Sequence, residues 1–164
     1  MMERIWAPWR MEYITSTKDA SNAGCFLCVD QQEDEKALVL ARAGKAFMIM
    51  NKFPYSNGHI MVVPVRHVGR LDGLTDEELL DMMRLVRTAS SLLKDVMSVD
   101  GLNVGINMGR AAGAGLEEHL HIHVVPRWFG DTNFMPVMGE TRVISEHLYE
   151  SYQRLKERLG ERPL

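Results

Sequence analysis

Residues 119–125 read His-Leu-His-Ile-His-Val-Val, and they hold half of the chain's six histidines. In extended backbone successive side chains point to opposite faces. The alternation predicts a strand with His119, His121 and His123 on one face and Leu120, Ile122 and Val124 on the other. Core packing does not ask for this, because each buried imidazole brings two ring nitrogens that need partners. A row of imidazoles suits nucleophilic or acid–base chemistry near neutral pH, or metal ligation.

Two further stretches carry chemistry. Cys25-Phe-Leu-Cys28 is a CxxC, a spacing shared by zinc sites and redox motifs. Redox motifs usually open a helix after a strand, whereas this one follows a polar loop; a zinc site needs two more ligands. Residues 109–115 are rich in glycine, which lets backbone N–H groups approach a phosphate closely. Gly113, Ala114, Gly115 and Leu116 are the candidates there.

The elements that must position these residues are legible around them. Thr75-Asp76-Glu77-Glu78 is a capping box with an acidic first turn. The helix it opens carries Leu79, Met82, Met83, Val86, Ala89, Leu93 and Val96 at helical spacing, which predicts a core-facing stripe. Gly101 is its expected stop. Strands are expected over 37–41 and 46–50, joined through Gly44, and over 60–65, 102–108 and 120–125. Residues 142–159 read as a C-terminal helix with a charged outer face, His147 being a surface histidine on it. Residues 1–24 read as an irregular arm whose Trp6, Trp9 and Tyr13 are too apolar to stay idle. Strands, one long helix, then strands again predict an α+β domain with an antiparallel sheet.

Composition narrows the setting. A chain of 164 residues, 46% hydrophobic and 25% charged, fits one globular domain with a genuine core. A formal net charge of −3 argues against a general nucleic-acid binder but leaves room for a positive pocket and a small anionic ligand. No apolar run reaches the ~20 residues of a membrane span, and the N-terminus lacks the apolar core of a signal peptide. With two cysteines a disulfide scaffold is unsupported, so a reducing cytoplasm is expected.

The stretch 119–125 resembles the signature of the histidine triad (HIT) family, His-φ-His-φ-His-φ-φ with φ apolar, at every position. Asn51 and Gly58-His59-Ile60-Met61-Val62-Val63-Pro64 resemble the family's upstream strand–turn–strand element, and Asn107 with the 109–115 segment resembles its phosphate loop. The likeness covers roughly residues 25–127. It implies a HIT-like fold with a five-stranded antiparallel sheet, one long helix and a C-terminal helix. On this reading residues 25–140 form the HIT domain, and 141–164 pack on it. The resemblance also implies a homodimer whose sheets join across the interface.

It further implies that His121 attacks the α-phosphorus of a nucleotide, forming a nucleotidyl-histidine later discharged by water or another acceptor. His123 would hydrogen-bond the phosphate or leaving group, and His59 would support the triad. Asn51 would meet ribose hydroxyls or else cap a strand end. Asn107 would brace the site, and Phe26 and Leu27 would border the base. Some relatives carry a hydroxyl or amide near position 116; Leu116 cannot make that contact with its side chain. His67 and His119 resemble the family's zinc-binding subset, which implies a structural zinc on Cys25, Cys28, His67 and His119.

Pro126-Arg127 and Gly130-Asp131 look like the branch acting on dinucleoside polyphosphates, and 128–137 looks closer still to bacterial diadenosine tetraphosphate phosphorylases. Arg127 would meet a distal phosphate and Trp128 would stack on a second base. The reading is therefore a nucleotide hydrolase or transferase cleaving dinucleoside polyphosphates at the α-phosphate. Phosphorolysis by inorganic phosphate, hydrolysis of a nucleoside phosphoramidate, and a nucleotide-binding regulator with incidental turnover stand as alternatives.

Overall fold

The computed structural model describes residues 24–131, 144 and 146–161. Five strands form one antiparallel sheet: β1 (Val39–Ala43), β2 (Ala46–Met50), β3 (Ile60–Pro64), β4 (Gly101–Ile106) and β5 (Ile122–Arg127). Their spatial order is β1-β2-β3-β5-β4, so β1 and β4 are the edges. A single helical turn, α1 (Asp34–Ala37), precedes the sheet; α2 (Asp76–Met97) joins β3 to β4, and α3 (Leu148–Gly160) closes the fold. The α+β architecture expected from the element order is the one observed.

The two faces of the sheet differ. Met48, Met50, Ile60, Val62, Ile122 and Val124 pack against Met82, Leu85, Ala89, Leu92 and Leu93 of α2 and against Tyr152, Leu155 and Leu159 of α3. On the other face, among the described residues, Val39, Phe47, Ile49, Met61 and Val63 meet Leu27, with Cys25, Val29, Ala37 and Leu116 at the margin. The thin second layer stops short of β4 and β5. Cross-strand register places Ile49, Met61, His123 and Gly105 in one row on that side.

The start of α2 is a complete capping box. Thr75 Oγ1 accepts from Glu78 N–H at 3.2 Å, and the Glu78 carboxylate accepts from Thr75 N–H at 2.8 Å. Glu78 also takes the Arg66 guanidinium at 2.9 and 2.8 Å, which ties the loop after β3 to the first turn of the helix. Met83 departs from the expected stripe: it is 55% exposed, because Met82, Leu85, Ala89 and Leu92 already fill the sheet-facing side. The helix ends at Ser98 in the left-handed conformation (φ 49), and Gly101 opens β4 instead of stopping the helix.

Other boundaries also move. Residues 34–37 form α1, and Leu38 reverses the chain at φ 66, so β1 begins at Val39. Strand β5 begins two residues later than expected and runs through Pro126. Pairing with β3 ends at Ile60↔Val124, so Pro126 lies where no ladder bond is forfeited; the Ser56 hydroxyl donates to its carbonyl at 2.8 Å. The C-terminal helix starts at Leu148, and His147 is its N-cap, accepting from Tyr149 N–H at 3.3 Å. His147 is exposed, as expected of a surface histidine, but it caps the helix instead of lying on it. Residues 1–23, with Trp6, Trp9 and Tyr13, and residues 132–140 lie outside the described residues. Lys156 of α3 donates to the carbonyls of Leu40 (2.8 Å) and Val39 (3.3 Å) where the β1–β2 register slips, covering the irregular edge.

Candidate active site and metal cluster

Of the three alternating histidines, only His123 lies in a strand. The chain bends just before Ile122, and the expected single row of imidazoles divides into two sites. Leu120 N–H donates to Val68 O at 2.7 Å, drawing residues 118–120 against the loop after β3. Gly69 makes the approach possible, since a Cβ there would collide with the backbone of Glu117 and Glu118. This turns His119 towards Cys25, Cys28 and His67, while His121 and His123 stay together with ring centroids 4.8 Å apart.

Hydrogen-bond partners fix the tautomer of each ring. A carbonyl only accepts and a backbone N–H only donates. His119 Nε2 lies 2.9 Å from Pro64 O, so Nε2 carries the proton and Nδ1 presents a lone pair. His121 Nδ1 lies 2.9 Å from His119 O, so Nδ1 carries the proton and Nε2 holds the lone pair. Tyr55 N–H donates to His59 Nδ1 at 3.1 Å, which leaves the proton of neutral His59 on Nε2. That proton points at His123 Nδ1, 2.9 Å away, so His123 accepts there and carries its own proton on Nε2. The result is a nucleophilic nitrogen on His121 beside a hydrogen-bond donor on His123.

Electrostatics agree with this arrangement. Burial pushes the His121 imidazole below the ordinary value of 6.5. Burial, with His121 adding to it, pushes His123 down to about 4. Both rings are neutral at pH 7, which gives His121 a lone pair without a preceding proton transfer. His59 is fully buried, and the Tyr55 ring lies 4.7 Å from it and 5.5 Å from His123, walling that side. The Asn51 amide reaches His59 Nδ1 at 3.3 Å and its Oδ1 accepts from Phe53 N–H at 2.9 Å, so Asn51 caps the turn and braces His59.

The glycine-rich segment folds as a tight turn after β4. Gly113 sits at φ 85, a conformation that favours glycine. Its N–H donates to Arg110 O at 2.9 Å and that of Ala114 donates to Gly109 O at 3.3 Å. Those two donors are spent on the loop itself, which leaves the N–H groups of Gly115 and Leu116 as the better phosphate candidates. The Leu116 side chain packs on the small apolar layer. Asn107 stands one residue beyond β4, on the strand neighbouring β5.

Three expectations for the base and second nucleoside need correction or qualification. Leu27 is wholly buried among Phe47, Ile49 and Met61 and has no surface to offer a base, whereas its neighbour Phe26 is 65% exposed. Trp128 Nε1 donates to Met97 O at 3.2 Å, so the indole sits at the C-terminal end of α2, on the helical side of the sheet and away from the triad. Arg127 keeps to the catalytic side, but its guanidinium is held by Asp131 at 2.6 and 2.8 Å.

The four expected metal ligands do converge. Cys25 Sγ and Cys28 Sγ lie 3.4 and 3.7 Å from His119 Nδ1, and Cys28 Sγ lies 3.3 Å from His67 Nδ1. All four ligand atoms fall within 4.8 Å of one another. A tetrahedral zinc with Zn–S about 2.3 Å and Zn–N about 2.0–2.1 Å requires ligand separations of about 3.3–3.8 Å. The three sulfur–nitrogen separations fall in that range while the widest pairs would have to draw in, and the lone pair that Pro64 leaves on His119 is the one aimed into the cluster. Residues that the sequence left unmarked are Tyr55 and Gly69. Neither belongs to a spacing motif; each acts through a backbone contact made in the folded chain.

Fold and site together define a histidine triad protein. A model of the HIT domain matches residues 32–130, and the chain belongs to that family. It is 39% identical over 169 aligned residues to an AP-4-A phosphorylase of Mycobacterium tuberculosis, covering 99% of this chain and 87% of the relative. A bis(5'-nucleosyl)-tetraphosphatase [asymmetrical] of Schizosaccharomyces pombe is 36% identical over 89 residues, 54% of this chain and 48% of that protein. Among solved structures, a Zn-bound histidine triad family protein from Mycobacterium smegmatis superposes with a TM-score of 0.68 at 24% identity, covering 84% of this chain and 94% of that one. A histidine triad nucleotide-binding protein from Sulfolobus tokodaii gives 0.66 at 28% identity, covering 84% and 90%.

Proposed function

We propose that this protein is a nucleotidyl transferase that cleaves dinucleoside polyphosphates such as diadenosine tetraphosphate, with inorganic phosphate as the acceptor. The observation that carries the reading is the fixed tautomer of His121, whose Nδ1–H is held by His119 O at 2.9 Å and whose Nε2 is thereby a neutral nucleophile. Likeness to the phosphorylase over nearly the whole chain supports the acceptor. Nε2 of His121 bonds to the α-phosphorus, and the bond from that phosphorus to the bridging oxygen breaks. The oxygen leaves with the electron pair, as ATP when the substrate is diadenosine tetraphosphate. The imidazolium so formed keeps its Nδ1–H on the His119 carbonyl. His123 Nε2–H meets the charge that develops on phosphoryl oxygen. Phosphate then attacks the adenylyl-histidine, giving ADP and free His121. The N–H groups of Gly115 and Leu116 would hold the α-phosphate, Asn107 would brace it, the remaining hydrogen-bonding capacity of Asn51 would serve ribose, and Phe26 would border the base.

A second reading, hydrolysis, is favoured by the tetraphosphatase likeness over half the chain. Incubation of the pure protein with diadenosine tetraphosphate, with and without phosphate, separates the two. ADP plus ATP formed only with phosphate supports phosphorolysis; AMP plus ATP without it identifies a hydrolase; no turnover of the dinucleotide refutes both.

Zinc on Cys25, Cys28, His67 and His119 would be structural, supplying no acid or nucleophile and holding residues 118–120 to the loop after β3. Two free cysteines suit a reducing cytoplasm, and no described helix is long and apolar enough to cross a membrane. The exposed edge of β4, with Asn103, Val104 and Gly105 open to solvent, is the surface on which a second copy would extend the sheet. A purine nucleotide substrate and a homodimer, without nucleic acid, complete the proposal.

A further inference from the structure

We propose that Arg127 and Asn103 form a subsite for the distal phosphates of the substrate, on the catalytic face of β4 and β5, with Asp131 holding the Arg127 fork until substrate displaces it. The inference rests on the functional reading above and extends it past the attacked phosphorus.

Residues 122 and 124 of β5 and 102 and 106 of β4 face the helices, so 123, 125 and 127 share the opposite face with 103 and 105. The bond from Arg127 Nη1 to Asn103 Oδ1, 2.8 Å, crosses the strands on that side. Asn103 pairs with Val125, two residues along from the Gly105–His123 row. At about 3.3 Å per residue the step is roughly 7 Å. Arg127 leans back over this step, so its guanidinium lies within the reach of a chain of phosphates that begins at His121 and His123.

The floor between is low, lined by Val125 and Gly105. Gly105 stands beside His123, and a Cβ there would meet nothing within 4 Å. Its backbone is not left-handed, so the conformation does not demand glycine. Glycine inside a strand weakens it and commonly marks close approach by a ligand. Val125 and Gly105 thus line the way from the nucleophile to a planar, bidentate cation.

The occupant now on that cation shows what it is shaped for. Asp131 takes the fork with Oδ2 on Nε at 2.6 Å and Oδ1 on Nη2 at 2.8 Å, the geometry by which Arg also grips phosphate. The Arg127 side chain is 44% exposed although that of Asp131 is only 18%, so the guanidinium remains within reach of a polyphosphate, whose higher charge competes with the carboxylate. Asp131 retains the Trp128 N–H at 3.1 Å and has somewhere to stay. As the bridging oxygen leaves with its electron pair, the charge gathers on the phosphates that Arg127 and Asn103 would hold.

The test compares AMP, which ends at the attacked phosphate, with diadenosine tetraphosphate, which continues past it. Both are titrated by calorimetry in a His121→Asn background, so that the ligand survives. Arg127→Ala is expected to weaken the tetraphosphate about 10–100-fold, the equivalent of one charge-assisted hydrogen bond, and AMP by less than about 2-fold. Asn103→Ala is expected to act in the same direction and less. Asp131→Asn is expected to tighten the tetraphosphate, because the competing charge is gone. Equal loss on both ligands, or none on the tetraphosphate, overturns the subsite and leaves the functional reading standing. A parent that binds neither ligand overturns that reading and the subsite together.

Discussion

Replacing His59 by Phe isolates the proton relay from simple packing. The ring volume is nearly kept, but both nitrogens go. Three contacts are lost at once: Tyr55 N–H at 3.1 Å, the Asn51 amide at 3.3 Å and His123 Nδ1 at 2.9 Å. His59 is fully buried, so the groups left behind are poorly placed to reach water. One or two orphaned groups at about 1–3 kcal/mol each put the stability loss at about 2–4 kcal/mol. The catalytic loss has a separate origin. Without a donor on Nδ1, His123 is free to move its proton there, which leaves Nε2 without a hydrogen to offer the phosphoryl oxygen. Loss of one such donor costs about 10²–10³ in kcat. Steady-state turnover of diadenosine tetraphosphate gives kcat, and nitrogen-15 spectra of the imidazoles report which nitrogen of His123 bears hydrogen. A kcat within about 3-fold of wild type, or a wild-type His123 already protonated on Nδ1, refutes the relay.

Metal content is the next check. Protein purified without chelator is expected to hold one zinc per chain, and Cys28→Ser to lose it and melt more than about 5 °C lower; equal melting of zinc-free and loaded protein removes the structural role. Because burial depresses His121, the acid limb of kcat/KM is expected below pH 6.5, with activity present above the limb and lost as protonation removes the lone pair. A limb at or above 6.5 contradicts the buried, neutral nucleophile. Glu78, paired with Arg66, is held down at about 2 against an ordinary 4.5, so its contribution is full above pH 4.5 and fades as the pH falls towards 2. Arg66 is half exposed, which screens the pair, and Glu78→Gln is expected to cost about 1–2 kcal/mol near neutral pH and progressively less in acid. Urea unfolding of both proteins at pH 6.5 and pH 3 measures the difference; a constant gap denies the linkage.

The antiparallel sheet, the capping box and the CxxC pair were readable because each is a local pattern or a spacing; His67 and His119 entered as ligands only through the resemblance to the family. The 22-residue α2 lies where the stripe and Thr75 placed it. Periodicity could not show that the histidines divide between two sites. A strand reading assigns side chains to faces as long as the backbone stays extended, and here it bends just before Ile122. The cause lies in a distant contact, Leu120 N–H on Val68 O with Gly69 yielding the room. Trp128 escaped for a related reason. One residue past β5 its direction is set by Met97 O at the end of α2, not by anything in its own neighbourhood. The place of Leu27 beside the base was carried over from the resemblance; the sparse second layer shows that the sheet needs it as core.

The two-residue spacing of the triad acquires its meaning from the backbone. Where the backbone bends, the side chain at one position can turn back to the carbonyl two residues before it, and His121 Nδ1 does so with His119 O. That carbonyl belongs to the same residue whose ring joins the metal cluster. His119 therefore serves two sites by different atoms: its Nδ1 faces the cysteines, and its oxygen orients the nucleophile. On the proposed mechanism the chemistry would need the oxygen in place, not the imidazole. A metal at the cluster then acts on catalysis only by holding that peptide where it is, alongside Val68 O on Leu120 and Pro64 O on the His119 ring. The division explains how a metal at the cluster and a metal-free displacement at phosphorus can share one short stretch of chain. On that proposal, the ligand that would anchor the segment and the nitrogen that would attack are separated by one residue and by the direction their rings face.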